Sequence, residues 1–427
     1  MLRAPAISRA LTHPTALTAW AACASFATYF CMYAFRKPFV VASFAAPAVF
    51  GLDQKSLFLI AQLLGYCAAK FLGIKVISEM KPGGRALAIL GCIGTAELAL
   101  VFFGFLAGPW AAVALAVNGL ALGLVWGLVF SFIEGRATSD LLGAILCSSF
   151  ILASGTAKAA GRFVLDAGVS PWWMPAATGA LFALPLCAAT WMLAQLPPPS
   201  PAEEALRVKR VPMHGPARRA FVRTWAGALI PLVAGYVVLT MFRDFRDNFA
   251  GELWDALGYG ASPEILATTE IPVALGALAA VGALMAVRNN RRAVLAVHAL
   301  LVGGAALVGV ATLGWTAGIV SPELWMILVG LGLYIAYVPF NCVLFDRLVA
   351  ATGSAANAGF LIYVADSAGY VGSVGLLVVR TLGHAELDWL GFFATLAFGT
   401  TGLCVALFSL AAWWLARNLP QAPAISA

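Results

Sequence analysis

Long apolar runs separated by short polar loops make up most of the chain. A helix needs about 20 mainly apolar residues to cross a bilayer. Twelve runs reach that length, with predicted limits 15–44, 55–78, 86–107, 110–134, 139–166, 172–195, 222–250, 263–287, 292–314, 322–346, 355–381 and 389–416. The pattern predicts an all-α polytopic membrane protein with twelve transmembrane helices.

Composition strengthens this prediction and excludes other classes. Of the 427 residues, 62% are hydrophobic and only 11% are charged, too few for the surface of a soluble fold. The net charge is +7, but the basic residues are spread over short loops, so no nucleic-acid partner is expected. The eight cysteines fall in apolar runs without paired spacing and the four histidines are scattered, so we expect no disulfide, metal or cofactor.

The one long polar segment divides the chain. It covers residues 196–221, opens with Pro197-Pro198-Pro199 and is rich in charge. We therefore predict an N-terminal six-helix bundle at 1–195, a cytoplasmic linker at 196–221 and a C-terminal six-helix bundle at 222–427.

Basic residues in the short loops predict the orientation. One side of the membrane collects nearly all of them, including the linker cluster, and the other side holds only Lys55 and Arg380. Both termini are therefore expected in the cytoplasm, with the protein in the plasma (inner) membrane. Arg3 and Arg9 precede an apolar run that is too long for a signal peptide, which predicts a retained first helix.

Charged stripes interrupt five of the apolar runs. A central Arg or Lys costs about 2.5–3.5 kcal/mol on insertion scales, so each buried charge indicates a functional site. The stripes are Tyr33, Arg36 and Lys37 in span one; Tyr66 and Lys70 in span two; Ser154, Lys158 and Arg162 in span five; Arg243, Asp244, Arg246 and Asp247 in span seven; and Tyr363, Asp366, Ser367 and Tyr370 in span eleven. Spacing at i, i+3 and i+4 predicts that the residues of a stripe share one helix face.

The buried charge is positive overall, which predicts an anionic ligand. Seven cations lie in the membrane interior, away from the span ends, against Asp244, Asp247, Asp366 and Glu270 as counter-ions or coupling groups. Guanidinium groups bind phosphate or carboxylate bidentately, and Lys70 adds a point charge. Tyr33 and Tyr66 can donate hydrogen bonds, and Asn341 in span ten is a further candidate for ligand contact.

Twelve spans in two halves, with a basic central loop and both ends inside, resemble the plan of the major facilitator superfamily. Phe35-Arg36-Lys37-Pro38-Phe39 in span one also echoes Phe245-Arg246-Asp247-Asn248-Phe249 in span seven. The resemblance implies two bundles around a cavity near the bilayer midplane. All five stripes lie on helices that line the cavity in that plan.

Three short motifs resemble one family within that superfamily. Tyr33-Ala-Phe-Arg36-Lys37-Pro-Phe39 is similar to the first-helix signature Tyr-x-x-Arg-Lys-x-Phe of the organophosphate:phosphate antiporters, and Ala69-Lys70-Phe71-Leu-Gly73 and Tyr236-x6-Arg243 resemble its motifs in helices two and seven. The resemblance implies a phosphate clamp of Arg36 and Arg243 beside Lys70. Lys158 and Arg162 stand where that family has a histidine, which indicates a divergent branch.

Charges near the cytoplasmic ends of the spans are interpreted as gate or salt-bridge residues. The loop from Gly73 to Arg85 is a degenerate form of the superfamily's Gly-x3-Asp-Arg loop, and Glu134-Gly-Arg136 is its expected partner. The predicted gate residues are Glu79, Arg85, Glu134, Arg136, Asp346 and Arg347.

Two structural alternatives stay open at this point. Arg36 and Lys37 can pair with Asp247 or Asp366 in a buried network that fixes the bundles. Arg243 can pair with Asp247 within its own helix, which would leave Arg246 for the ligand.

The sequence predicts a non-enzymatic secondary transporter that moves a small anionic solute (organophosphate, phosphate or carboxylate) by alternating access. Phosphate or protons are the expected counter-substrate, and a monomer is expected. One alternative is a proton-coupled symporter of another organic solute, with Asp366 or Glu270 titrating. The other is a non-transporting membrane sensor of the same fold.

Overall fold

The computed structural model describes residues 11–44, 52–80, 82–134, 136, 138–198, 215–353, 358–382 and 388–420. Within these ranges, twelve helical segments are long and apolar enough to cross a membrane. The prediction of an all-α polytopic membrane protein is therefore confirmed, and the chain is an integral multi-pass membrane protein.

The described helices, numbered in chain order, are α1 (Pro14–Met32), α2 (Gln54–Glu79), α3 (Arg85–Leu106), α4 (Ala111–Leu122), α5 (Val125–Ile133), α6 (Ser139–Asp166), α7 (Met174–Ala194), α8 (Gly215–Asn248), α9 (Ala250–Ala256), α10 (Ile265–Thr268), α11 (Glu270–Leu284), α12 (Asn290–Thr316), α13 (Pro322–Cys342), α14 (Leu344–Thr352), α15 (Ala358–Leu382) and α16 (Trp389–Asn418). Helices α4 and α5 together form one span, as do α10 and α11.

The chain divides into two compact units. Unit one contains Met1–Arg207, Asp244–Ile271 and Ser373–Leu390, and unit two contains Val208–Arg243, Pro272–Gly372 and Gly391–Ala427. The last turn of α8 and the last part of α15 thus belong to the same unit as the N-terminal helices. The division into bundles at 1–195 and 222–427 stays a prediction.

The first span is shorter than the predicted 15–44, because α1 ends at Met32. Two 3-10 turns, Tyr33–Phe35 and Pro38–Val41, follow it. Pro38 has no N–H and cannot continue the helical hydrogen bonds. The spacing predicted that Tyr33, Arg36 and Lys37 share one helix face. Arg36 and Lys37 instead lie between the two turns, so they do not share a regular helical face with Tyr33.

Two buried amides bind the carbonyl groups at this break. Gln62 Nε2 donates to Arg36 O at 3.1 Å, and Asn118 Nδ2 donates to Phe35 O at 3.0 Å. Gln62 Nε2 also donates to Asn118 Oδ1 at 2.9 Å. In hydrocarbon, a broken helix persists only where neighbouring groups satisfy its freed backbone, and these two amides do so for the residues around Arg36.

Close packing of α2 against α4 brings the two amides together. A Cβ on Gly65 would lie 2.0 Å from Ala116 O, and one on Gly119 would lie 2.1 Å from Gln62 O. Small residues at a membrane helix interface allow the backbones to approach in this way. The glycines therefore determine where Gln62 and Asn118 reach the break after α1.

We expect Gly119→Ala to destabilise the protein by about 1–3 kcal/mol, the usual cost of overpacking, because the backbones of α2 and α4 must separate. Gly91→Ala on α3 is the matched control, since a Cβ there meets nothing within 4 Å. Because alanine is the better helix former, the control should be neutral or slightly stabilising. Thermal unfolding of the purified variants measures the difference, and equal melting temperatures would contradict the packing argument.

Candidate functional site

The carboxylate of Asp247, in the last turn of α8, binds two buried lysines. Its Oδ2 lies 2.5 Å from Lys37 Nζ, and its Oδ1 lies 2.8 Å from Lys158 Nζ. Ser154 Oγ also donates to Oδ1. Lys37 and Lys158 are almost fully buried. We call Lys37, Ser154, Lys158, Asp247 and Asn248 the Asp247 cluster.

Local structure explains why these groups meet. Ser154 and Lys158 are four residues apart on α6 and share a face, as their spacing predicts. Lys158 Nζ donates to Asp247 O at 3.0 Å, so the ammonium also lies at the negative end of the α8 dipole. Lys37 Nζ adds a bond to Asn248 Oδ1 at 2.7 Å. The cluster therefore joins the break after α1 to α6 and to the end of α8.

These contacts decide between the two open pairings. Asp247 binds Lys37 and Lys158, so the interpretation that it pairs with Arg243 within α8 is wrong. The buried network predicted for Lys37 is present. Arg246 Nη2 lies 2.9 Å from Glu270 Oε1, which places the second α8 arginine in an ion pair of its own. Tertiary neighbours outweigh the i+4 geometry here, because α6 and the α1 break approach the end of α8.

A second group of cations surrounds one aromatic ring. The Arg36 guanidinium carbon lies 4.1 Å from the centroid of Tyr66 and 5.7 Å from that of Tyr33. Lys70 Nζ lies 5.4 Å from the Tyr66 centroid and 5.6 Å from that of Trp126. We call these five residues the Tyr66 site. Arg36 and Lys70 are 6% and 7% exposed, so two buried cations lie near one buried aromatic ring.

The charge balance of unit one is positive. The cations around the Asp247 cluster and the Tyr66 site outnumber the carboxylates there. The ion pair of Arg246 with Glu270 adds one charge of each sign and leaves this excess unchanged. The buried cations of unit one are Arg36, Lys37, Lys70, Lys158 and Arg246, with Arg136 in the loop before α6, and the carboxylates are Asp244, Glu270 and Asp247, the last 13% exposed. A positive excess at this depth favours an anionic ligand.

Unit two carries a separate hydrogen-bonded group. Tyr236 Oη donates to Asp366 Oδ1 at 2.5 Å and lies 2.8 Å from Tyr337 Oη. Arg243 Nη1 bonds to Tyr337 Oη, and the Arg243 guanidinium carbon lies 4.5 Å from the Tyr337 ring centroid. Asp366 therefore has a tyrosine donor, as expected of a polar counter-ion on α15.

Other predicted ligand residues are engaged elsewhere. Arg162 Nη2 donates to Gly260 O at 3.2 Å and lies 4.0 Å from Asp255 Oδ1. Its carboxylate neighbour is therefore Asp255 and not Asp247. Asn341 Nδ2 lies 3.4 Å from Tyr337 O within its own helix. Tyr363 lies on α15.

The predicted gate arginines bind backbone and amide oxygens. Arg85 Nη1 donates to Ser131 O at 2.8 Å, Arg136 Nη2 to Pro197 O at 2.6 Å and Arg347 Nη1 to Asn290 Oδ1 at 3.0 Å. Glu134 follows α5 as its C-cap, and Asp346 lies in the first turn of α14. The side chain of Glu79 lies outside the described residues. The gate assignments stay predictions.

Sequence reasoning missed several polar residues of these helices. Gln62 and Asn118 support the break after α1, Trp126 borders Lys70, and Glu97 is a half-buried acid on α3. An isolated amide or acid in an apolar run was the available signal. Near the other end of unit one, Lys55 forms an ion pair with Glu252, and Arg380 lies 4.0 Å from the Trp389 centroid.

Residues 38–418 match the model of a family described as a family of unknown function (DUF5690). The chain belongs to this family. None of the curated proteins matches the sequence. The family description therefore provides no function for the geometry described above.

Solved structures resemble the DUF5690 protein over nearly its whole length. A D-xylose-proton symporter has a TM-score of 0.60 at 16% identity, covering 94% of this chain and 97% of its own. A bacterial homologue of the human drug peptide transporters PepT1 and PepT2 has a TM-score of 0.61 at 14% identity, covering 95% and 99%. A bacterial homologue of the human lysosomal transporter Spinster, inward-facing and unoccupied, has 0.62 at 12%, also covering 95% and 99%. The protein has the major facilitator fold, as predicted.

Proposed function

We propose that this protein is a secondary transporter that moves a small anion by alternating access, and that the anion binds at the Tyr66 site. The observation that carries the proposal is the placement of Arg36 and Lys70 over one buried tyrosine ring. The solved structures of the same fold are described as a symporter and as transporters, which supports the transport class.

The chemistry of the Tyr66 site favours phosphate or carboxylate. An arginine fork binds two oxygens of either group, and a lysine adds an ammonium without directional demands. The motif resemblance to the organophosphate:phosphate antiporters supports phosphate and organophosphates as the first candidates.

The Asp247 cluster has a different role in this proposal. Its carboxylate binds the ammonium groups of Lys37 and Lys158, so these lysines stabilise the fold and do not recognise the solute. The solute then binds the cations of the Tyr66 site. We further propose a plasma-membrane monomer, and the basic loops support placing its termini in the cytoplasm.

The test is exchange of labelled phosphate into proteoliposomes loaded with unlabelled phosphate. We expect Lys70→Gln to raise the KM for phosphate about ten- to hundredfold, because one charge-assisted contact is lost. Arg288→Gln is the control, since Arg288 is an exposed arginine between α11 and α12. It should exchange phosphate like the wild type.

Two results would contradict the proposal in different ways. An unchanged KM in Lys70→Gln would remove the Tyr66 site from anion recognition. A wild-type protein that exchanges neither phosphate nor organophosphates would exclude phosphate exchange. Uptake of a carboxylate after a pH jump would then favour the proton-coupled alternative.

A further inference from the structure

A glutamate that no described cluster uses lies inside the membrane-spanning part of unit one. Glu97 is near the middle of α3, twelve residues after Arg85. At 1.5 Å rise per residue, about 18 Å of helix separates the two. Glu97 Oε2 is buried and makes no hydrogen bond in the structure.

Its surroundings are backbone and aromatic carbon. A Cβ built on Gly179 of α7 would lie 2.3 Å from Glu97 Oε2 and 3.0 Å from Phe35 Cδ1. The carboxyl therefore lies directly on the glycine surface of α7, beside the ring of Phe35. Phe35 is the residue before Arg36, so Glu97 is located behind the break that presents Arg36.

No cation is available to this carboxyl from the helices packed around it. The described elements with substantial packing against α3 are α4, α5, α7 and the 3-10 turns Tyr33–Phe35 and Pro82–Gly84. None of these segments contains Asp, Glu, Lys, Arg or His; their titratable groups are Tyr33 and Cys187. On α3 itself the others are Arg85, at the far end, and Cys92.

Three other acids of the described spans have donors. Asp247 binds two lysines, Glu270 binds Arg246, and Asp366 accepts from Tyr236. An ionised carboxylate is costly in an apolar environment unless a cation or several donors compensate it, and the usual outcome is that the group takes up a proton. Glu97 has neither form of compensation.

We propose that Glu97 is a proton-binding site: in the folded protein it holds a proton at neutral pH, behind the Phe35–Arg36 segment. The side chain remains partly accessible, so a hydrophobic reagent can reach it. Loss of the proton would place a negative charge beside the backbone that carries Arg36. This proposal does not rest on transport of an anion, because its readouts are chemical labelling and stability.

The first measurement is reaction with a hydrophobic carbodiimide, which modifies protonated carboxyl groups in apolar surroundings. Wild-type protein in membranes is labelled at about pH 7 and digested, and the adduct is located by mass spectrometry. We expect an adduct at Glu97 and none in Glu97→Gln. Glu323, exposed in the first turn of α13, should remain unmodified.

The second measurement is the melting temperature of wild type and Glu97→Gln as a function of pH. A glutamate in the unfolded chain loses its proton above about pH 4.3, whereas Glu97 keeps its proton in the folded chain. Folding then takes up a proton, so wild-type stability falls as the pH rises. Glutamine resembles the protonated acid and does not titrate. The difference in melting temperature, Glu97→Gln minus wild type, should therefore increase by on the order of 3 °C between about pH 5 and about pH 8.

Glu323→Gln serves as the control and should give a flat difference over the same range. A flat difference for Glu97→Gln as well, with wild-type Glu97 unlabelled, would overturn the proposal. If labelling and melting disagree, the melting profile decides, because reagent access is a separate property. If Glu97→Gln fails to fold, the labelling of wild type decides.

Discussion

Arg36→Gln is expected to abolish phosphate exchange while leaving the protein folded. Arg36 lies over the Tyr66 ring and is 6% exposed. It lies in the break after α1, where two buried amides donate to the carbonyl groups of Phe35 and Arg36. Glutamine keeps much of the length of the side chain but loses the charge and the fork. Each lost charge-assisted hydrogen bond costs about 1.5–3 kcal/mol, so a bidentate contact corresponds to about 10²–10⁴ in affinity.

Arg36→Lys separates charge from geometry. It keeps the positive charge but not the planar pair of donors, so exchange should fall between wild type and Arg36→Gln. Arg288→Gln controls for the loss of an arginine as such. Melting temperature and size-exclusion profiles establish that each variant is folded. Near-normal exchange by a folded Arg36→Gln protein would remove Arg36 from solute binding.

The fold was predictable from sequence because membrane solvation imposes a length on every apolar run. The limits of the runs were less predictable where a single residue changes the backbone. The prediction for the first span continued to residue 44, but Pro38 ends regular helix early and α1 stops at Met32. Helix α8 begins at Gly215, before the predicted 222, since the polar start of a helix gives no hydropathy signal.

Buried charges were predictable one by one, but their partners were not. The sequence marked Lys37, Lys158 and Asp247 as candidates, yet the lysines are 211 and 89 residues from the α8 end that they bind. Local spacing allowed the pairing of Arg243 with Asp247, because an i+4 rule considers only one helix. Such pairings depend on the packing of three segments, which local sequence patterns do not describe.

Residues that bind backbone were harder still to predict. Gln62 and Asn118 donate to carbonyl groups that are free only because Pro38 interrupts α1. Their role follows from the proline in another helix and from the glycine contact between α2 and α4. Neither amide has a charged partner in its own helix, so charge patterns gave no indication of them.

The Asp247 cluster determines the second large effect. Asp247→Asn is expected to destabilise the protein by about 3–5 kcal/mol, the cost of breaking a buried ion pair by removing one partner. The reason is that the buried ammonium groups of Lys37 and Lys158 would then share an amide oxygen instead of a carboxylate. Thermal unfolding of the purified variant measures the loss.

Asp255→Asn is the matched control for this prediction. Asp255 also faces a cation, at 4.0 Å from Arg162 Nη2, but its side chain is 50% exposed. Exposed pairs contribute about 0–1 kcal/mol, so this variant should melt close to wild type. The triple variant Lys37→Met, Lys158→Met, Asp247→Asn removes the charges together and should recover much of the loss, because the cost lies in uncompensated charge. An Asp247→Asn protein as stable as Asp255→Asn would mean that the two lysines are neutral in the folded protein and that the cluster holds no ion pair.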